Sequence, residues 1–214
     1  SQHEGERDDD NSHTYCNQDA ATQHLMLHAF LLSFGVIFVA ELGDKSQLMA
    51  LAFATRYKTV PVLIAITLAT GIVHLFSVAL GGAIGTALPT KLISIIGAIA
   101  FVGFGIWTLR GDELTEEDKE STKVSSKHII MAVGTVFFLA ELGDKTMLAT
   151  VTLATTEGLV GTWAGSTVGM VVADGLAIAV GKALGDRLQD KTVRIASSIA
   201  FFVFAAIMFA DALR

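Results

Sequence analysis

Two hexapeptides carry most of the chemistry in this chain: Glu-Leu-Gly-Asp-Lys-Ser at 41–46 and Glu-Leu-Gly-Asp-Lys-Thr at 141–146. Each sets two acids, a lysine and a hydroxyl inside an otherwise apolar run, "FVAELGDKSQLMA" at 38–50 and "FLAELGDKTMLAT" at 138–150. Glu41 and Asp44 are three apart, as are Glu141 and Asp144, so on a helix each pair shares one face. Lys45 and Lys145 follow their glutamates by four, the favourable order for an intrahelical ion pair. Charge balance of that kind is the plainest reading of either motif alone. It leaves both aspartates unexplained, and it has to occur twice. An ionised side chain near the centre of a bilayer costs about 2.5–3.5 kcal/mol on insertion scales. Six such groups, unpaired, would cost roughly 15–20 kcal/mol. A penalty of that size points to a polar cavity in which the groups compensate one another or a ligand.

Glu41, Asp44, Glu141 and Asp144, with the hydroxyls of Ser46 and Thr146, would make an oxygen-rich cage. Hard divalent cations such as Ca²⁺ and Mn²⁺ prefer oxygen donors. Cys16 is the only cysteine, and no paired histidines flank the motifs, so zinc and copper fit less well and a disulfide within the chain is excluded. Gln47 and Met147 each lie three after a motif aspartate and fall on the same face. A thioether at 147 would favour Mn²⁺ over Ca²⁺, with packing as its competing role. Carboxylates also suit exchange. When a cation leaves, four nearby acids in a low-dielectric site cannot all stay ionised, and some take up protons. A site that holds either a divalent cation or protons is an exchanger.

Two further polar groups lie in apolar runs. Asp174 is an intramembrane acid and functional by default, with a proton path as its expected role. His74 occupies the equivalent place 100 residues earlier, either in the same path or as a hydrogen-bonded core histidine.

The elements that position these groups follow from composition. The 214 residues are 52% hydrophobic and 17% charged, with mean hydropathy +0.57, whereas a soluble domain carries about 25% charge. Apolar runs such as 60–88, 92–109 and 195–213 reach membrane-spanning length. Six spans are expected, at 25–55, 60–86, 91–109, 128–156, 159–181 and 192–213. The first has 31 residues, which as one straight helix would measure about 46 Å against a core of about 30 Å. It must tilt or break, and Gly43 is the natural place. Glycine adopts backbone geometry that frees carbonyl oxygens, and broken helices use such carbonyls as cation ligands. The glycines at 81, 85, 161, 165, 169, 181 and 185 follow small-xxx-small spacing and read as helix-packing positions.

Ten Lys and Arg residues (56, 58, 110, 119, 123, 127, 182, 187, 191 and 194) fall in alternate loops, against Arg7, Lys91 and Arg214 on the other side. The positive-inside rule then puts both termini outside. The halves repeat at an offset of 100: eleven of twenty positions are identical between 36–55 and 136–155. "ALGGAIG" at 79–85 faces "AVGKALG" at 179–185, and "IAF" recurs at 99–101 and 199–201. Three spans per repeat is an odd number, so the copies enter the membrane from opposite sides. The expected fold is an all-α integral membrane protein of six transmembrane helices. They form two inverted-topology three-helix repeats, with motif helices 1 and 4 broken or kinked. Its parts are a hydrophilic acidic tail (1–23), repeat 1 (24–110), a polar cytoplasmic linker (111–127) and repeat 2 (128–214). The tail holds six acids and one arginine and does not read as a signal peptide. The chain starts at Ser1 rather than Met, from which removal of something upstream is expected.

The doubled Glu-x-Gly-Asp-Lys-(Ser/Thr) motif, over six spans and a polar central loop, resembles one family across nearly the whole chain from about Leu25 to Arg214. It is the family of small membrane proteins, formerly uncharacterised, that includes the Golgi manganese/calcium transporter linked to glycosylation disorders. Chloroplast manganese transporters and bacterial manganese exporters also belong to it. The resemblance implies antiport of Mn²⁺ and Ca²⁺ against protons, with Glu41, Asp44, Glu141 and Asp144 as ligands and Ser46 and Thr146 as lesser ones. The family motif often continues with Gln, as at Gln47, and Met147 departs from it. No cofactor is implied, since the cation is the substrate, and the partners are the cation, protons and the lipid bilayer.

Other classes fit less well. Intramembrane aspartyl proteases use Gly-x-Gly-Asp, but here Glu41 stands two before Gly43 and no Tyr-Asp partner occurs. A lipid-phosphate phosphatase would need an intramembrane arginine, and every arginine lies in a tail or loop or at a span edge. A passive cation channel could use the same acids without proton coupling. An organic-solute exporter would share the span count, yet four acids oppose an anionic substrate. Nothing resembles a nucleic-acid patch. Short loops and economy of length point to a bacterial inner membrane.

Overall fold

The computed structural model describes residues 2–110, 128–184 and 190–213, and the regular structure described is helical throughout. In chain order the helices are α1 (Gln2–Glu41), α2 (Lys45–Arg56), α3 (Thr59–Ala87), α4 (Thr90–Arg110), α5 (Ile129–Glu141), α6 (Lys145–Ala154), α7 (Leu159–Leu184) and α8 (Asp190–Ala212). Four stretches are long and apolar enough to cross a membrane unaided: Thr22–Glu41, Thr59–Ala87, Lys91–Arg110 and Leu159–Ala183. Ile129–Glu141 and Ser198–Ala210 are shorter apolar helices. Leu68, Phe76, Ile99 and Val203 point outward, each more than half exposed. Water would penalise that exterior, and hydrocarbon suits it. The chain is a membrane protein.

As expected of interrupted motif helices, the runs 25–55 and 128–156 each divide at the motif, into α1 and α2 and into α5 and α6. The acidic segment 1–23 is continuous in helix with the first apolar run. It contains no proline to stop a helix, and α1 runs from Gln2 straight through it. The linker at 111–127 and Gly185 lie outside the described residues.

The two halves meet in pairs. α7 packs along α1 and α3 along α5, α4 lies against α8, and α3 meets α7 at the centre. The short helices cross over, α2 onto α7 and α6 onto α3. Exchanging the halves maps each of these contacts onto another or onto itself. Glycines make the closest approaches. A Cβ on Gly161, Gly165 or Gly169 of α7 would strike the backbone carbonyls of Met26, Phe30 and Phe34 on α1. Gly81 of α3 abuts Val151 on α6, and 100 residues on Gly181 of α7 abuts Leu51 on α2. These glycines remove side-chain bulk where helices touch, the role their spacing implies.

Two apolar clusters flank the centre. Met49, Phe53, Ile66, Phe137 and Ile178 form one, from α2, α3, α5 and α7. Ile37, Phe101, Phe104, Met170 and Phe201 form the other, from α1, α4, α7 and α8.

Candidate functional site

The helix breaks fall at Gly43 and Gly143, the positive-φ residues among those described, at +75° and +80°. A side chain on Cβ disfavours that conformation, so glycine is the natural residue at both breaks. In each copy the Asp amide closes a tight turn onto the Glu carbonyl, at 3.0 Å from Asp44 to Glu41 and 3.2 Å from Asp144 to Glu141. The chain then restarts with the aspartate as N-cap, in extended geometry. Asp144 accepts a hydrogen bond from the Thr146 amide at 3.4 Å. Each motif thus becomes a helix end and a helix start facing one another across three residues.

The break also cancels the intrahelical pair expected between Glu41 and Lys45. Their spacing of four implies a shared helix face only if the helix continues. With Glu41 ending α1 and Lys45 opening α2, that register is lost, and no ion pair joins them.

Within each motif the hydroxyl stands between the two acids. Ser46 Oγ donates to Glu41 Oε1 and also lies 3.1 Å from Asp44 Oδ2. Thr146 Oγ1 lies 3.0 Å from Glu141 Oε2 and 3.4 Å from Asp144 Oδ2. All four carboxylates are shut away, with exposures of 0% for Glu41, 1% for Asp44, 2% for Glu141 and 5% for Asp144. Glu41 Oε2 has no hydrogen-bond partner among the described residues.

Lysine behaves differently in the two halves. Lys145 is 1% exposed, and its ammonium donates to Asp44 Oδ1 of the other motif. It also lies within electrostatic reach of Asp144 and Glu41. Lys45 is only half-buried and forms no ion pair among the described residues. The four-carboxylate cage expected from the sequence is not closed in this conformation. No three Asp, Glu, His or Cys side chains among the described residues gather closely enough to hold a metal ion. Two hydroxyl-bridged acid pairs stand there instead, joined by one ammonium.

Gln47 and Met147 face backbone rather than carboxylates. Gly43 donates its N–H to Gln47 Oε1 at 2.9 Å, and Gln47 Nε2 donates to the Ala173 carbonyl at 3.1 Å. Gly143 donates to Met147 Sδ at 3.1 Å. Both residues cap the helix end that the break leaves open.

Asp174 joins the site. It is fully buried, neither carboxylate oxygen has a hydrogen-bond partner among the described residues, and it lies within electrostatic reach of Glu41, Asp44 and Glu141. His74, also buried, has Nδ1 3.3 Å from Thr167 Oγ1. Sequence reasoning passed over Thr167, Thr70 and Ser166. Thr70 and Ser166 are buried hydroxyls without a partner among the described residues, and their only signal is a polar residue inside an apolar run. A cavity of about 660 Å³ opens elsewhere, between α3 and α5, lined by Leu68, Ile72, Met131 and Phe138 among others. Its walls are apolar apart from His128 and Thr135, and include none of the motif acids.

Broken helices that present buried acids to one another across the middle of a membrane bundle belong to transporters. Comparison with known proteins gives the same class. The family described as divalent cation/proton antiporter GDT1 matches residues 29–116 and 129–214. The chain belongs to that family and is a transporter, not an enzyme. A Vibrio cholerae protein named as a candidate manganese exporter is 30% identical over 187 residues, covering 86% of this chain and 91% of that one. A GDT1-like protein of Synechocystis is 31% identical over 200 residues, 85% of this chain and 97% of its own. The Saccharomyces cerevisiae divalent cation/proton antiporter GDT1 is 26% identical over 230 residues, 84% and 82% respectively. No solved structure matches the chain.

Proposed function

We propose that this protein is a secondary active transporter that exchanges a divalent cation, Mn²⁺ or Ca²⁺, for protons by alternating access. The carboxylates of Glu41, Asp44, Glu141 and Asp144 bind either the cation or protons, with Ser46 and Thr146 as accessory oxygens. Gln47 and Met147 shape the ends of the two half-sites. The observation that carries this reading is the pair of buried Glu–hydroxyl–Asp triads. A hydroxyl has one proton to give. Each motif therefore packs two buried carboxylates around a single hydroxyl proton, an arrangement that a further proton or a cation would stabilise.

Six spans in two inverted repeats frame the site, with α1–α2 and α5–α6 each acting as one interrupted span. Support comes from the contacts that map onto one another when the halves are exchanged, and from the 100-residue sequence repeat. Residues 24–110 and 128–214 are the two repeats, joined by a polar cytoplasmic linker at 111–127. Both termini lie outside by the Lys/Arg bias, in a bacterial inner membrane, a setting that the bacterial relatives fit. Asp174 carries protons between the motif acids and solvent, and His74 with Thr167 lines the same route. The relatives' names, a candidate manganese exporter and a divalent cation/proton antiporter, favour this substrate class.

The test uses purified protein in sealed liposomes with a pH-sensitive dye inside and the membrane potential clamped. Mn²⁺ or Ca²⁺ added outside is expected to drive proton efflux. Cation entry with no proton movement would make the protein a channel, and no cation movement at all would sink the reading.

A further inference from the structure

The asymmetry of the two lysines carries an inference about how the site opens to its cation, and it rests on the exchange reading above. The motifs are the same from Glu to Lys, yet only Lys145 turns inward. Its side chain is as buried as the apolar core, and its ammonium rests on Asp44 in the opposite half. Lys45, at the matching place, stays at the edge. A lysine buried to this degree in a membrane bundle is retained only with a compensating charge. Here that charge is a carboxylate counted among the candidate ligands. Cation and ammonium seek the same oxygen.

We infer that Lys145 is a tethered cation that occupies the Asp44 side of the site between transport events, and that a divalent cation binds by displacing it. While the ammonium is in place it takes up the Asp44 oxygen that a metal would need, and the buried charge is partly balanced. When it withdraws, Asp44 turns to the metal, and both pairs can converge on one ion. When the metal leaves, the ammonium returns and discourages immediate rebinding. Lys145 is thus a positioning residue that weakens resting affinity and speeds release. Lys45, off the site in this conformation, has no such role at Asp44.

Direct binding of ⁵⁴Mn²⁺ to detergent-purified protein tests this separately from transport. If the wild type binds no Mn²⁺ or Ca²⁺, the exchange reading fails and takes this inference with it. If the wild type binds, Lys145→Met is expected to bind at least about tenfold more tightly while its turnover in liposomes falls, a split between KM and kcat. Lys45→Met should leave the affinity unchanged, and Lys145→Arg, which keeps the charge, should not tighten it. Equal or weaker binding by a folded Lys145→Met would overturn the inference. Should that variant misfold, Lys145→Gln keeps a donor for Asp44 without the charge and carries the same expectation. The wild type offers a check that needs no variant. Saturating Mn²⁺ should raise acylation of Lys145 by a small amine reagent, read by mass spectrometry, and an unchanged yield would overturn the displacement.

Discussion

Gly143 donates its backbone N–H to the thioether of Met147 at 3.1 Å, where Gly43 finds the amide oxygen of Gln47 at 2.9 Å. The two halves solve one backbone problem with different chemistry. A broken helix exposes an amide, and a side chain four residues on covers it. Sulfur is a weak acceptor, so the second break is capped by the weaker bond, and by a soft atom. Met147→Gln is expected to fold as the wild type does, since Gln47 already fills that role in the first half. It should also weaken discrimination of Mn²⁺ against Ca²⁺, because calcium shuns sulfur and manganese tolerates it. Competition of the two cations for proton efflux measures this, and an unchanged preference would return Met147 to a capping role alone.

Removing charge without changing shape tests the acids themselves. Glu41→Gln and Asp144→Asn are each expected to abolish cation-driven proton efflux while the protein still purifies as a folded species. Glu41 Oε1 accepts from Ser46, and a glutamine oxygen can accept the same bond. Wild-type flux in either variant would remove the motif from the mechanism.

The second helix break isolates a conformational effect. Gly143 has a φ of +80°, and nothing lies within 4 Å of where its Cβ would stand. Gly143→Ala meets no neighbour and suffers only backbone strain, about 1–2 kcal/mol. Gly143→Asn should lose less, because asparagine tolerates this region. Thermal unfolding in detergent should rank wild type above Asn above Ala. Equal loss for both would mean that the site at 143 is crowded after all.

Gly165 makes the opposite case. Its φ is ordinary, but a Cβ there would collide with the Phe30 carbonyl, and backbone cannot swing aside as a side chain does. Gly165→Ala is expected to destabilise by about 1–3 kcal/mol through overpacking, whereas Gly103→Ala, with nothing within 4 Å, should be near neutral. A scan of detergent melting temperatures decides between them.

Much of this architecture is legible in the residues alone. The doubled motif gives the site, the length of 25–55 gives the break, and glycine at 43 gives its position. Long apolar runs with few charges give helices in a membrane. The spacing of Gly161, Gly165 and Gly169 gives the seam with α1, because close helix approach leaves that pattern wherever it occurs. Three things were not legible. The pairing of Lys145 with Asp44 joins residues 101 apart, and the two motifs are identical from Glu to Lys, so the motif itself could not separate the two lysines. The four-residue spacing pointed instead to an intrahelical pair, a rule that fails once the helix stops between the partners. The capping by Gln47 and Met147 was hidden for the same reason, since an interrupted helix creates an acceptor need that a continuous one lacks. Where α1 begins also escaped, because an acidic composition argues against burial but not against helix.

The glycine seam between α1 and α7 has a mechanical consequence. Ridge-and-groove contacts between side chains can slide, since each rotamer offers a small step. Backbone laid on backbone offers none, and Gly161, Gly165 and Gly169 leave the two helices touching over more than two turns, mostly backbone against backbone, with the Ala29 methyl at Gly161. In the alternating-access exchange proposed above, that pair of helices is expected to move as one body, with the helix breaks at Gly43 and Gly143 as the natural pivots.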